Sequence, residues 1–180
     1  TQEVVSAKPD GYTLIFTSQS IVTQTYQTKG KVSHNDFILL GMLNEDAFGI
    51  AVAKNAPWKT LQDFIKDAKN RPGKIRIGTT GVGSITYMQI PLLEKIAGVK
   101  LQPIPYQGSH PFHMATLGGH VEACGAVVGD ASALLKSGDL RLLGVMSAKR
   151  VKEFPDVPTY REMGVDVDFI FWRGLFALSS

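Results

Sequence analysis

Apolar residues arrive in short runs broken by glycine, proline and hydroxyl residues, and the runs alternate between strand and helix spacing. Residues 12–16 (YTLIF) follow a turn at 8–11 (KPDG) and predict a buried strand, with the hydroxyl-rich Thr17, Ser18, Gln19 and Ser20 at its carboxyl end. Residues 37–45 and 48–54 predict two long strands in succession, the pattern of a crossover between lobes. Residues 58–70 predict a helix. Thr60 caps it, Asp63 completes a capping box, Leu61, Phe64, Ile65 and Ala68 form its apolar stripe, and Arg71-Pro72-Gly73 stops it.

Residues 74–98 read as a strand, a tight loop and a helix N-terminus. Ile75, Arg76 and Ile77 lead into Gly78, Thr79, Thr80, Gly81, Val82, Gly83 and Ser84, after which Ile85, Met88, Leu92, Leu93 and Ile96 recur at helical spacing. The first turn of a helix leaves amides unpaired and carries partial positive charge, so a loop with little bulk admits an anion there. The hydroxyls of Thr79, Thr80 and Ser84 would add donors. No Gly-Lys-Ser/Thr follows, and the glycines fall in GxxGxG order, which disfavours a nucleotide. The same glycines would also serve simply to let strand and helix pack closely, and the loop alone leaves both readings open.

Residues 99–106 predict a strand weakened by Pro103 and Pro105, and Gln107-Gly108-Ser109 turns into a helix over 111–117 with Pro111 in its first position. Residues 120–128 predict a buried strand, and Gly129-Asp130 leads into a short helix over 131–136. A strand over 140–146, an irregular stretch over 147–164 with a helical turn at 159–163, and an aromatic strand segment over 165–178 complete the pattern. Alternating strands and helices give an α/β class with a mostly parallel sheet. Three small-residue turns at strand ends suggest a cleft lined by backbone donors.

At 180 residues the chain can bury one good core or two small lobes. Nineteen Lys and Arg against 16 Asp and Glu give +3, but the cations are scattered among acids, which argues against nucleic acid as a partner. The one cysteine, Cys124, excludes an intrachain disulfide and reads as a small core residue rather than a thiolate. His110 and His113 would share a helix face but lack further ligands at a matching spacing, so no metal is expected. No apolar stretch is long enough to span a bilayer, and nothing reads as a signal sequence, so a soluble chain is expected. It opens at Thr1 on what reads as the end of a helix, from which a missing N-terminal part is expected. Binding without turnover, with no cofactor, is the leading class. An α/β enzyme acting on a small phosphorylated or carboxylated metabolite is the competing one.

Five stretches carry a resemblance: 7–16 (AKPDGYTLIF), 74–84 (KIRIGTTGVGS), 101–123, 137–164 and 171–178 (FWRGLFAL). With them the chain resembles the substrate-binding proteins of tripartite tricarboxylate transporters, the Bug or TctC-like family of periplasmic solute receptors. The resemblance implies a type II-like periplasmic-binding-protein fold: two lobes with mostly parallel sheets joined by long crossover strands. Residues 1–44 would be an incomplete first lobe, 45–167 the second lobe, and 168–180 a crossover strand returning to the first. It further implies a periplasmic, monomeric receptor that captures a small carboxylate in an interlobe cleft and delivers it to membrane transporter subunits. Carried onto this chain, the first-lobe loop is Thr17, Ser18 and Ser20, and the second-lobe anion loop is Thr79, Thr80, Gly81, Val82, Gly83 and Ser84. Tyr106, Gly108 and Ser109, with Gly129 and Asp130, would be the other cleft turns. Two positions depart from the family pattern: Glu122, where Asp is common, and Arg173, where an apolar residue is common; Arg173 would either face the cleft as a bidentate carboxylate partner or lie on the surface, the surface being favoured.

Overall fold

A computed structural model of the chain describes residues 2–27, 29 and 32–179. In chain order the elements are α1 (Gln2–Val5), β1 (Leu14–Ser18), α2 (Ser20–Gln27), β2 (Phe37–Asp46), β3 (Phe48–Ala53), α3 (Leu61–Asn70) and β4 (Arg76–Thr79). They continue with α4 (Ile85–Ala97), β5 (Gln102–Pro105), α5 (Ser109–Leu117), β6 (Ala123–Val127), α6 (Val128–Lys136), β7 (Leu140–Leu142) and β8 (Phe171–Leu178). The chain divides into two compact units, Thr1–Asp46 with Phe171–Ser180, and Ala47–Ile170.

The second unit is built on a five-stranded sheet of order β5-β4-β6-β3-β7. Here β4 pairs in parallel with β5 and β6, while β3 lies antiparallel between β6 and β7. The sheet is thus mixed, with β3 the one reversed strand among neighbours that otherwise run the same way. Parallel neighbours need a crossover helix between them, and α4 and α5 supply that for β4, β5 and β6; β3 enters straight from β2 without one. Its residues Phe48, Ile50, Ala51 and Val52 are buried, as a strand covered on both faces requires. Pro103 and Pro105 are tolerated because β5 is an edge strand.

Helix α3 forms as its caps dictate. The Thr60 hydroxyl accepts from the Asp63 amide, and the Asp63 carboxylate accepts from the Thr60 amide, while Leu61, Phe64 and Ala68 are buried. In α4 the buried residues are Thr86, Gln89, Ile90 and Leu93. The stripe expected there shares only Leu93 with that face; Met88 and Ile96 are exposed, because Thr86 and Gln89 are the residues packed against Gly125 of β6. Helix α5 begins at Ser109, so Pro111 is its third residue, still among the first-turn amides that need no intrahelical partner. The strand expected over 120–128 is confined to β6, and Gly129 and Asp130 lie inside the first turn of α6 rather than before it. The strand expected over 140–146 stops at Leu142, with Val145 forming a separate bridge to Thr159. The closing strand starts at Phe171, since Phe169 still bonds to Met146 of the second unit.

Glu122 and Arg76 tie the start of β6 to the start of β4. The carboxylate accepts from the Arg76 amide at 2.7 Å and from its guanidinium at 2.6 Å. The guanidinium beside it holds the Glu122 carboxyl below the usual carboxylate range. A carboxyl depressed in the folded chain contributes fully above its unfolded pKa, and that contribution fades as pH falls through the folded value. Urea midpoints of the wild type and Glu122→Gln are thus expected to differ at about pH 6 and converge in acid. A gap that stays constant with pH would refute the assignment.

The first unit holds a three-stranded antiparallel sheet of order β1-β8-β2. Ile21, Val32, Phe37 and Phe176 form its core, with Ile15 and Trp172 packed against them. The buried strand expected over 12–16 is displaced to Leu14–Ser18 and is half open: Tyr12 precedes it and is exposed, and Phe16 lies on the face opposite Ile15, which among the described residues packs on the core.

Candidate functional site

The parallel strands β5, β4 and β6 are neighbours, and each is followed at its carboxyl end by a helix, α5 after β5, α4 after β4 and α6 after β6. Three helix N-termini therefore open on the same edge of the sheet. Each presents roughly half a positive charge and amides without intrahelical acceptors.

Thr79 ends β4 and is fully buried, and the loop after it turns through two left-handed glycines, Gly81 at φ 102° and Gly83 at φ 85°. A side chain at either would be strained, so glycine is what lets the chain fold back onto α4. The Gly81 amide donates to the Thr79 hydroxyl at 3.2 Å, and the Ser84 hydroxyl donates to the Gly81 carbonyl at 2.7 Å. Ser84 also caps α4 by accepting from the Tyr87 amide at 3.2 Å. Behind the loop stands Thr86, buried, whose hydroxyl accepts from the Thr80 amide at 3.0 Å. It also lies 2.9 Å from the Thr80 hydroxyl and 3.0 Å from that of Ser84. The hydroxyls of Thr79, Thr80 and Ser84 thus hold the loop in shape, while Val82 at the tip is exposed.

One turn further, Gln89 is buried with its amide nitrogen on the Thr86 carbonyl at 3.2 Å. Both residues press on Gly125 of β6, where an added Cβ would stand 2.7 Å from the Thr86 carbonyl oxygen. Thr86 and Gln89 are absent from the expected set. Their signal is polar residues at the i and i+3 positions of a helix face otherwise closed by Ile90 and Leu93, which a search for apolar residues alone passes over.

The other two turns join this one. The Tyr106 amide donates to the Thr79 carbonyl at 2.8 Å, and Gly108, the N-cap of α5 at φ 101°, donates to the Tyr106 carbonyl at 3.1 Å. Ser109 then donates to the Asp130 carboxylate at 3.1 Å, linking the first turns of α5 and α6. Gly129 is the second residue of α6, beside Asp130. A hydrogen-bonded path so runs from Thr79 through Tyr106, Gly108 and Ser109 to Asp130.

In the first unit, Thr17 and Ser18 end β1 and Ser20 opens α2, so these residues flank the turn from strand to helix. The Ser18 and Ser20 hydroxyls are 2.9 Å apart, and the Ser20 amide donates to Ser18 Oγ at 3.3 Å. Arg173 faces Ser18 across the sheet and stacks its guanidinium 4.3 Å above the Phe171 ring.

The reactive side chains are poorly placed for chemistry. Cys124 is fully buried and its thiol is pushed up to about 12, so no thiolate forms at neutral pH. His113 is buried and its pKa is lowered by that burial, whereas His110 on the same helix is exposed. Among the described residues, no three His, Cys, Asp or Glu side chains cluster as metal ligands, and no helix is long and apolar enough to cross a membrane.

Residues 1–180 match the family described as tripartite tricarboxylate transporter family receptor. A UPF0065 protein of Cupriavidus necator is 34% identical over 92% of this chain and 51% of its own length. A TctC solute-binding protein from Polaromonas is 35% identical, with a TM-score of 0.80 over 99% of this chain and 61% of that one. MatC from Rhodopseudomonas palustris, solved with bound malate, is 26% identical, with a TM-score of 0.87 over 98% of this chain and 62% of that one. The chain spans about half the length of the curated relatives it matches. The mixed sheet with its inserted antiparallel strand is the fold of these periplasmic solute-binding proteins, and the chain belongs to the tripartite tricarboxylate transporter receptor family.

Proposed function

We propose that this chain is the ligand-holding part of a periplasmic receptor that captures a small di- or tricarboxylate, or a related organic acid, and delivers it to a membrane transporter. The observation that carries the reading is the opening of α4, α5 and α6 at the ends of three adjacent parallel strands. Backbone amides oriented by the loop of Gly81 to Ser84 meet a carboxylate without a cationic side chain, and hydroxyls supply further donors. Thr79, Thr80, Tyr106, Gly108, Ser109, Gly129 and Asp130 shape or line the site in the second unit, and Thr17, Ser18 and Ser20 are the residues of the first unit that this reading assigns to ligand binding. Malate in MatC supports the ligand class.

Each charge-assisted hydrogen bond contributes about 1.5 to 3 kcal/mol. Four or five of them, less ordering costs, give roughly micromolar affinity, about −8 kcal/mol. Isothermal titration of the chain with malate, succinate and glutarate is expected to give saturable heat at one site. Sugar phosphates binding more tightly than every carboxylate, or no heat with any carboxylate, would overturn the reading.

Thr86→Val tests the loop. Removing that hydroxyl strands the Thr80 amide and releases both neighbouring hydroxyls, so dicarboxylate affinity is expected to fall about tenfold, near 1.4 kcal/mol. Unchanged affinity in a folded variant would show that the cluster does not set the loop.

A further inference from the structure

The first unit carries a cation beside its candidate ligand residues. At the carboxyl end of β1, Ser18 pairs with Arg173 of β8, and Arg173 pairs on its other side with Asn44 of β2. Cross-strand partners point to the same face with Cβ atoms about 5 Å apart, so these three polar side chains form one row across the sheet. The next rows on that face are Phe16, Leu175 and Gly41, then Leu14, Ala177 and Ile38, none with a polar side chain. Polarity begins only at the strand end, the place where open α/β sheets take their ligands.

Arg173 is held in place rather than trailing into solvent. Its guanidinium stacks 4.3 Å from the centroid of the Phe171 ring, and that ring is buried. Stacking uses the flat face of a guanidinium and leaves the N–H groups along its edge directed outward in the plane, where a carboxylate takes two of them at once. Five donors are enough for a protein neighbour and a ligand together. One residue earlier, the Trp172 amide donates to Gln19 Oε1 at 3.1 Å, which ties β8 to the turn between Ser18 and Ser20. The hydroxyls of those serines are 2.9 Å apart, so one of their two protons serves that contact and the other is left to donate outward. The candidate turns of the second unit, 79–84, 106–109 and 128–131, contain no Lys or Arg, and Asp130 adds a negative charge there. A doubly charged acid therefore needs its cation from another part of the chain.

We propose that Arg173 is a specificity-determining residue: its guanidinium, with the hydroxyls of Ser18 and Ser20, takes one carboxylate of the ligand as a bidentate pair and so selects di-acids over mono-acids of the same shape. The inference rests on the carboxylate reading above and adds to it the residue that recognises the second charge.

The test is isothermal titration of the whole chain with succinate and with succinamate, in which an uncharged amide replaces one carboxylate. The wild type is expected to bind succinate roughly tenfold more tightly than succinamate. Arg173→Gln is expected to remove most of that advantage, and Arg173→Lys to recover part of it, since lysine restores the charge without the fork. In the wild type the Arg173 Nε–H resonance is expected to shift on adding succinate, a readout that needs no variant to fold. The proposal is overturned if the wild type binds the two acids equally, if Arg173→Gln leaves their affinity ratio unchanged, or if the resonance stays in place at saturation. In each of those cases the wild type still binds a carboxylate and the receptor reading stands, whereas a wild type that binds neither acid overturns both.

Discussion

Gly49→Ala is expected to destabilise the second unit by about 3 kcal/mol, the upper part of the usual range for overpacking. Gly49 lies in β3, the antiparallel strand at the heart of the five-stranded sheet, opposite Ala126. Beyond the end of β7 the chain stays alongside it, with the Leu143 amide on the Ile50 carbonyl at 2.9 Å and the Met146 amide on the Phe48 carbonyl at 2.8 Å. Between those bonds the backbone crosses Gly49 so closely that a Cβ would stand 2.0 Å from the Gly144 carbonyl oxygen. A flexible side chain could swing away, but a carbonyl held between two hydrogen bonds cannot. The substitution must break at least one of them, each contributing about 1 kcal/mol, and shift the strand. In urea the midpoint should move down with little change in slope. A loss below about 1 kcal/mol would mean that this approach is looser than described.

Tyr160 carries the next largest effect. It is fully buried in the irregular stretch after β7, and its hydroxyl accepts from the Ile50 amide at 3.1 Å. Its own amide donates to the Val145 carbonyl at 2.8 Å, and its carbonyl accepts from Val165 at 2.9 Å, so one residue pins three segments. Tyr160→Phe keeps the ring but leaves a buried amide without a partner, an expected cost of about 2 kcal/mol. Tyr160→Ala adds a large cavity and is expected to cost about 4 kcal/mol. The pair separates the two contributions: equal losses would assign everything to the hydroxyl, and a near-neutral Phe variant would remove the hydrogen bond from the account. The two sites share Ile50 and Gly144 as neighbours, so a Gly49→Ala, Tyr160→Phe double variant should deviate from additivity.

What could be read from residues alone follows the range of the forces involved. The capping box of Thr60 and Asp63, the glycine loop of 78–84 and the strand around Pro103 and Pro105 are local and emerge as the sequence implies. Strand direction is not local. Whether β3 pairs in parallel or antiparallel depends on β6 and β7, 70 or more residues later, and the apolar run of Phe48 to Val52 is the same in either case. The buried face of α4 is obscured because polar Thr86 and Gln89 occupy it, Thr86 bonded to the loop through its hydroxyl and Gln89 through its amide nitrogen to the Thr86 carbonyl. Phe16 reads as core by its chemistry, yet its face of the sheet is uncovered. The hydroxyl-rich turns were legible as positions, but their use was not: Thr80 and Ser84 bond within the loop, and Ser109 reaches 21 residues ahead to Asp130.

The placement of β8 sets an order of events during synthesis. The second unit is one uninterrupted stretch, Ala47–Ile170, whereas the first unit needs its middle strand, Phe171–Leu178, from the far side of that stretch. As the polypeptide leaves the ribosome, β1 and β2 therefore wait unpaired for more than a hundred residues while the other sheet can close. Their apolar surface is open to chaperones and to aggregation through that interval, and the arrival of β8 ends it.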